Sequence, residues 1–129
     1  MTPEQIDRVE RLVRRVVADD AFATAFYDHL FAAAPDTEAM FPDVDAQRGK
    51  LRQELSTLVS LLRDLPRLER EASALGARHR TYGVRGTHFR VARDAMEEGL
   101  ADTLGDAFTA ADRDAWRRAY GLITELMQS

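Results

Sequence analysis

The stretch LGARHRTYGV, residues 75–84, places a histidine where the helical pattern calls for an apolar residue. Inward positions recur there at spacings of four, three and four residues, the period of one helix face, in the order Leu68, Ala72, Leu75 and His79. Gly83 follows closely and predicts the end of that helix. The sequence therefore predicts a helix whose inward face finishes on an imidazole, and the reason for that imidazole has to be sought in the rest of the chain.

Composition limits the possible classes of protein. The chain has 129 residues, of which 45% are hydrophobic and 31% charged, so we expect one globular domain over residues 1–129. The formal net charge of −4 argues against nucleic acid or an anionic membrane as a partner. The absence of cysteine excludes disulfide scaffolds, zinc–thiolate sites and iron–sulfur clusters. Because no apolar run approaches the ~20 residues of a membrane-spanning helix, we expect a soluble cytoplasmic protein.

Apolar residues at helical spacing predict one helix after another and no strand. Capping boxes, Thr2 with Gln5 and Thr109 with Asp112, predict the starts of the first and last helices. Candidate N-caps of helices between them are Asp19 or Asp20, Asp43 or Asp45, and Thr87. Six or seven helices in so small a domain suit either a bundle or the angled packing of globins, and periodicity does not choose between the two.

Three polar residues interrupt the apolar helix faces. Besides His79, Gln47 lies four residues before Leu51 on one face, and Tyr27 lies within an aromatic cluster. Each has an ordinary explanation: a satisfied core histidine, a solvated first-turn glutamine and a hydroxyl that reaches the surface. The functional alternative makes His79 an axial metal ligand, one ring nitrogen binding while the other donates to a backbone carbonyl such as that of Leu75. The residues alone leave both explanations open.

Six short motifs occur in a characteristic order along the chain. They are FYDHLF (26–31), MFP (40–42), QRGKL (47–51), RHRTYGV (78–84), HF (88–89) and DAWRRAYGLI (114–123). At these intervals the sequence resembles a bacterial single-domain globin, similar to the haem domain of flavohaemoglobins. The resemblance covers essentially the whole chain, and its most specific part lies between His79 and Tyr120.

The resemblance implies an all-α globin fold of six to seven helices around a pocket for haem b, with His79 as the proximal iron ligand. Tyr27 and Gln47 become the distal pair that faces a bound gas. Further haem-contacting residues that it implies are Phe41, Lys50, Leu51, Arg78, Val84, Phe89 and Met96. Lys50 and Arg78 are candidates for the haem propionates, or else solvated surface charges. The stretch between Phe41 and His79 is shorter here than in flavohaemoglobins. The alignment of the distal residue is therefore open, with Gln53 as the alternative to Gln47.

The function that the resemblance implies is reversible binding of dioxygen, and also of NO and CO, as a carrier, store or scavenger rather than an enzyme. The alternatives are a nitric-oxide dioxygenase or peroxidase-like enzyme that uses a separate reductase, a globin-fold sensor, and a haem-free interaction domain. The sequence departs from flavohaemoglobins in two ways: no reductase segment follows the globin, and Phe89 replaces a tyrosine near the proximal histidine. We therefore expect His79 to donate only to a backbone carbonyl. His29 and His88 are interpreted as surface residues.

Overall fold

The computed structural model describes residues 1–129 and contains six α-helices and no β-strand. The helices are α1 (Pro3–Val16), α2 (Ala21–Ala33), α3 (Val44–Ser60), α4 (Leu65–Thr81), α5 (Gly86–Leu104) and α6 (Ala110–Gln128). Short 3-10 helices, Pro35–Met40 and Gly105–Ala107, join α2 to α3 and α5 to α6. None of the helices is long and apolar enough to cross a membrane. The predicted all-α class is confirmed.

Most helix ends follow the predicted capping residues. The Thr2 and Thr109 capping boxes both form, each hydroxyl accepting a backbone N–H of the first turn. Asp43, rather than Asp45, caps α3 by accepting the backbone N–H of Ala46. At the start of α2, the carboxylate of Asp19 accepts a backbone N–H. Polar side chains thus satisfy the first-turn donors that a helix leaves unpaired.

The start of α5 differs from the prediction. Arg85 occupies the N-cap position and Thr87 lies inside the first turn, so the prediction that Thr87 caps this helix is wrong. The Nδ1 atom of His88 accepts the backbone N–H of Arg85 at 2.9 Å. The helix thus begins two residues earlier than a Thr87 cap predicts, and the imidazole of its third residue accepts the N-cap N–H, as the third residue of a capping box does.

The helices bury one continuous core, with α2 packed along α5 and α4 along α6. Two glycines allow these pairs to approach closely. A Cβ atom on Gly99 of α5 would lie 3.3 Å from the ring of Phe22 in α2. At Gly76 of α4, a Cβ atom would lie 1.8 Å from the carbonyl oxygen of Met127 in α6. The position of α4 is therefore set against α6 at a point one turn before His79.

Helix α4 ends as its sequence predicts. Its inward residues Leu68, Ala72 and Leu75 are buried, while His79 at the end of the stripe is only partly buried. Gly83 adopts a φ of 86°, a left-handed conformation that glycine tolerates without strain. The imidazole of His79 consequently lies in the last turn of the helix, at the boundary between the core and a cavity.

Candidate functional site

A mostly apolar cavity opens between α2, α3, α4, α5, α6 and the first 3-10 helix. It contains about 1060 Å³ of empty space, its open mouth included, and 19 of its 25 lining residues are hydrophobic. Eight residues singled out from the sequence line it: Tyr27, Phe41, Gln47, Leu51, His79, Val84, Phe89 and Met96. The fold thus gathers side chains from five α-helices and the first 3-10 helix around one mostly apolar space.

Three other residues singled out from the sequence lie outside this cavity. Lys50 and Arg78 are exposed, each directly beside a lining residue in the chain. Gln53 is exposed and does not line the cavity, whereas Gln47 does. Gln47 is thus the glutamine that the fold brings to the cavity.

The ring of His79 is held by a hydrogen bond within its own helix. Its Nδ1 atom donates to the carbonyl oxygen of Leu75, one turn earlier, at 2.9 Å. Phe89 stacks against the ring, with the centroids 6.2 Å apart and the planes inclined by 28°. With Nδ1 donating, a neutral imidazole keeps its lone pair on Nε2, the atom that is left to bind a metal.

No second side chain supports this imidazole. Tyr120, which also lines the cavity, donates its hydroxyl to the backbone carbonyl of Phe89 at 2.5 Å, and burial raises the pKa of that hydroxyl. Tyr82 is 64% exposed. The only hydrogen bond of the His79 side chain is therefore the one to Leu75, as the sequence predicted.

Tyr27 lies in a tight aromatic group on the α2 side of the cavity. Its ring is 4.8 Å from that of Phe26, 5.3 Å from that of Phe41 and 5.8 Å from that of Phe31, centroid to centroid. Burial strongly raises the pKa of its hydroxyl, while the side-chain amide of Gln47 lowers that pKa by a smaller amount. Tyr27 is therefore a neutral hydrogen-bond donor at physiological pH, and Gln47 lines the same cavity.

Two residues that line the cavity were missed in the sequence. Glu54 lies three residues after Leu51 on the inward face of α3 and is the only carboxylate in the lining. The other is His88, which was interpreted as a surface residue; its side chain is only 19% exposed and it lines the cavity. A spacing of seven from Gln47 could have identified Glu54, whereas the position of His88 depends on how the start of α5 meets the first 3-10 helix.

His29 lies outside the cavity and joins α2 to α5. Its Nδ1 atom is 2.7 Å from Glu98 and its Nε2 atom 2.6 Å from Asp102. The hydrogen bond to Asp102, together with the charges of Asp102, Glu98 and Asp28, raises the pKa of the imidazole. A histidine ring can donate to a carboxylate at each of its nitrogens only as an imidazolium, so this contact is a structural ion pair.

The chemistry available in the cavity is that of a single imidazole facing an apolar space. No three His, Cys, Asp or Glu side chains lie close enough together to hold a metal ion. A metal bound at Nε2 of His79 would therefore take most of its ligands from a group that is not part of the protein. The mostly apolar lining suits a flat, largely apolar macrocycle in its chemistry, and Tyr27 and Gln47 carry polar hydrogens at the cavity wall.

Sequence comparisons agree with this geometry. The Globin family model matches residues 24–127. A flavohemoprotein of Bacillus subtilis is 26% identical over 104 residues, which are 78% of this chain and 26% of that protein. A flavohemoprotein of Bordetella parapertussis is 27% identical over 116 residues, 84% of this chain and 28% of that protein. The chain thus spans about a quarter of the length of these curated relatives.

Solved structures show the same helix arrangement. A protein of Pseudomonas aeruginosa PAO1, described as structurally highly homologous to a human hemoglobin, superposes with a TM-score of 0.85 at 30% identity, covering 96% of this chain and 95% of that one. An engineered carbene transferase from Rhodothermus marinus gives a TM-score of 0.87 at 19% identity, covering 99% and 91%, and shows the fold alone. With its family match over residues 24–127 and this helix arrangement around the cavity, the chain belongs to the globin family.

Proposed function

We propose that residues 1–129 form a single haem-binding globin domain that binds haem b through His79 and takes up dioxygen reversibly. NO and CO are further ligands of the same site. The observation that carries this proposal is the hydrogen bond from Nδ1 of His79 to Leu75, which leaves Nε2 to face an apolar cavity that Tyr27 and Gln47 also line.

The walls of the cavity fit a porphyrin. Phe41, Leu51, Val84 and Met96 would contact its faces and keep water from them, and the burial of apolar surface would drive its uptake. When bound, haem supplies an iron with one open position for a diatomic gas. Lys50 and Arg78, exposed beside the lining, would pair with the propionates at the protein surface.

The distal residues favour a gas whose outer atom would gain partial negative charge on binding. The hydroxyl of Tyr27 is a neutral donor, and the amide of Gln47 lies beside it. Both can donate to the partly negative outer atom of dioxygen, whereas carbon monoxide stays nearly neutral and accepts weakly. A hydrogen bond to a charged acceptor is worth about 1.5–3 kcal/mol, so the pair would hold dioxygen selectively.

The proximal side favours gas binding over turnover. His79 donates only to a main-chain carbonyl, so its ring keeps the basicity of a neutral imidazole and pushes little electron density toward an iron. This supports a carrier, store or scavenger. The flavohemoprotein relatives favour a second candidate, a nitric-oxide dioxygenase or peroxidase-like haem enzyme with a separate reductase, which would need a more electron-rich histidine.

Titration of the purified protein with haemin tests the proposal. We expect one haemin per chain, with an absorption spectrum typical of histidine ligation, and reversible oxygenation after reduction. His79→Ala should lose this spectrum and regain it when imidazole is added. His29→Ala, a matched histidine outside the cavity, should behave like the unmodified protein. Failure to take up haemin in stoichiometric amount, or an unchanged spectrum in His79→Ala, would refute the proposal.

A further inference from the structure

The gas side of the cavity contains a carboxylate that gas binding alone does not require. Gln47, Leu51 and Glu54 follow one another on α3 at spacings of four and three, and all three line the cavity. Glu54 is partly buried, and it is the only acidic residue among the 25 lining residues, which include no lysine or arginine. A carboxylate in so apolar a wall is costly unless something offsets it, so its place there calls for an explanation.

No cation neutralises Glu54. The arginines nearest to it on α3 are bound elsewhere: Arg48 pairs with Asp45, and Arg52 pairs with Asp20 at 2.6 Å and donates to the carbonyl of Val17. None of the ion pairs of the protein includes Glu54. The arginines of α3 therefore pair with aspartates and with the main chain at the corner between α1 and α2, and neither forms an ion pair with Glu54.

Two histidines also line the cavity, but their hydrogen bonds suit neutral rings. Nδ1 of His79 donates to Leu75, which leaves Nε2 as a lone-pair donor. Nδ1 of His88 accepts the N–H of Arg85, so the hydrogen of this ring is on Nε2. A neutral imidazole carries no positive charge, so neither ring in this state offsets the charge of Glu54.

The charge of Glu54 reaches the position where a gas ligand would lie. Tyr27 and Glu54 both line the cavity, and the charge of Glu54 raises the pKa of the Tyr27 hydroxyl, while the charge of Arg48 lowers that pKa by a smaller amount. The hydroxyl that would contact a ligand is thus in the negative field of the carboxylate. In surroundings of low polarity such a field falls off slowly, so a ligand beside Tyr27 would experience it too.

We propose that Glu54 is a specificity-determining residue that makes this pocket select uncharged diatomic gases against anions. The inference rests on the proposed haem-binding function and adds to it the basis of ligand choice. Tyr27 and Gln47 can donate to a gas that would gain partial negative charge on binding, and Glu54 opposes a full negative charge. Dioxygen, NO and CO are neutral when they enter, whereas azide and nitrite are anions at neutral pH and are repelled by a carboxylate in a partly buried site.

Equilibrium titration of the ferric, haem-loaded protein with azide and with imidazole tests this proposal. At neutral pH azide is an anion, while imidazole binds as a neutral molecule. Glu54→Gln should raise the affinity for azide roughly tenfold and that for imidazole less than twofold. Glu38→Gln removes the same charge from an exposed residue outside the cavity, and should change neither affinity by more than twofold. Glu54→Asp should keep the discrimination, and Glu54→Met provides a second neutral variant.

A second measurement reports on the electric field of the Glu54 carboxylate. The stretching frequency of carbon monoxide bound to the reduced protein should shift in Glu54→Gln and stay in place in Glu38→Gln, because that frequency responds to nearby charge. An equal rise in azide and imidazole affinity would mean that Glu54 acts by its bulk, and would overturn the proposal. So would an unchanged azide affinity, or an equal effect of Glu38→Gln. Failure of the haem-binding function itself would show earlier, as an absence of haemin uptake before any anion is added.

Discussion

The close approach of α4 and α6 at Gly76 makes a sharp prediction about stability. In Gly76→Ala the new Cβ atom would lie 1.8 Å from the carbonyl oxygen of Met127, 2.6 Å from its carbonyl carbon and 2.8 Å from its Cα. All three are backbone atoms, so no side-chain rotation relieves the clash. The end of α6 has to move away from α4 by more than 1 Å to restore ordinary contact, roughly 3.5–4.0 Å.

The cost can be worked out from what that movement breaks. Met127 is buried, and full exposure of such a side chain costs about 1.5–3 kcal/mol. Its carbonyl also accepts a hydrogen bond from Arg80 at 3.1 Å, worth about 1 kcal/mol. Alanine instead of glycine in a helix returns about 1 kcal/mol. We therefore expect Gly76→Ala to lower the free energy of unfolding by roughly 1.5–3 kcal/mol.

Urea unfolding followed by far-ultraviolet circular dichroism measures this change, and Gly121→Ala is the matched control. Gly121 is also inside a helix, α6, but nothing lies within 4 Å of the position its Cβ would take. That variant should gain about 0.5–1 kcal/mol from helix propensity alone. Because Gly76 lies one turn before His79, Gly76→Ala should also weaken haem uptake. Equal stability of the two variants would refute the argument from helix contact.

Three further predictions concern the distal pair, a surface histidine and the proximal ring. Tyr27→Phe should accelerate oxygen dissociation roughly 10–100-fold and leave carbon monoxide dissociation almost unchanged, as stopped-flow measurements would show, with Gln47→Leu acting in the same direction. Because the pKa of His29 is raised in the folded protein, its ion pairs stabilise the fold fully below pH ~6.5. This stabilisation is lost as the pH rises through the folded pKa of His29. His29→Gln should therefore lower the free energy of unfolding in urea by about 0.5–1 kcal/mol at pH 5.5 and leave it unchanged at pH 9. The iron–histidine stretch of the ferrous protein should lie in the range of oxygen carriers and stay there in Tyr120→Phe, since Tyr120 donates to a backbone carbonyl and not to His79; a stretch typical of peroxidases would show that another group supports the ring.

Local chemistry explains which parts of the fold could be predicted from the sequence. The inward stripe of α4, the end of that helix at Gly83 and the caps at Thr2 and Thr109 depend on residues a few positions apart, so periodicity and capping rules suffice. The hydrogen bond from His79 to the carbonyl of Leu75 was predictable for the same reason: both residues lie one turn apart in one helix.

The errors and omissions arise where separate elements meet. His88 was assigned to the surface because it starts a helix, yet the first 3-10 helix covers that start and brings the ring to the cavity, with Asp36 3.9 Å away. Glu54 was passed over because a carboxylate at the edge of an apolar stripe is normally solvated. Only the arrangement of α2 against α3 places it beside Tyr27. Helical spacing indicates that Glu54 faces inward, but neither its proximity to Tyr27 nor the position of His88 leaves a signal in the sequence.

The acceptor of the His79 hydrogen bond is a main-chain oxygen, and this has a consequence for how such a site can change over evolution. A carboxylate or tyrosine partner can be lost or gained by one substitution, and the character of the iron would change with it. Here any residue at position 75 that keeps the helix supplies the same carbonyl, so the orientation of the ring is preserved while the side chains around it vary. A more reactive descendant would have to introduce a new acceptor strong enough to draw the imidazole away from its own helix. Drift alone is therefore more apt to alter the gas-facing side, where Tyr27, Gln47 and Glu54 each act through a side chain.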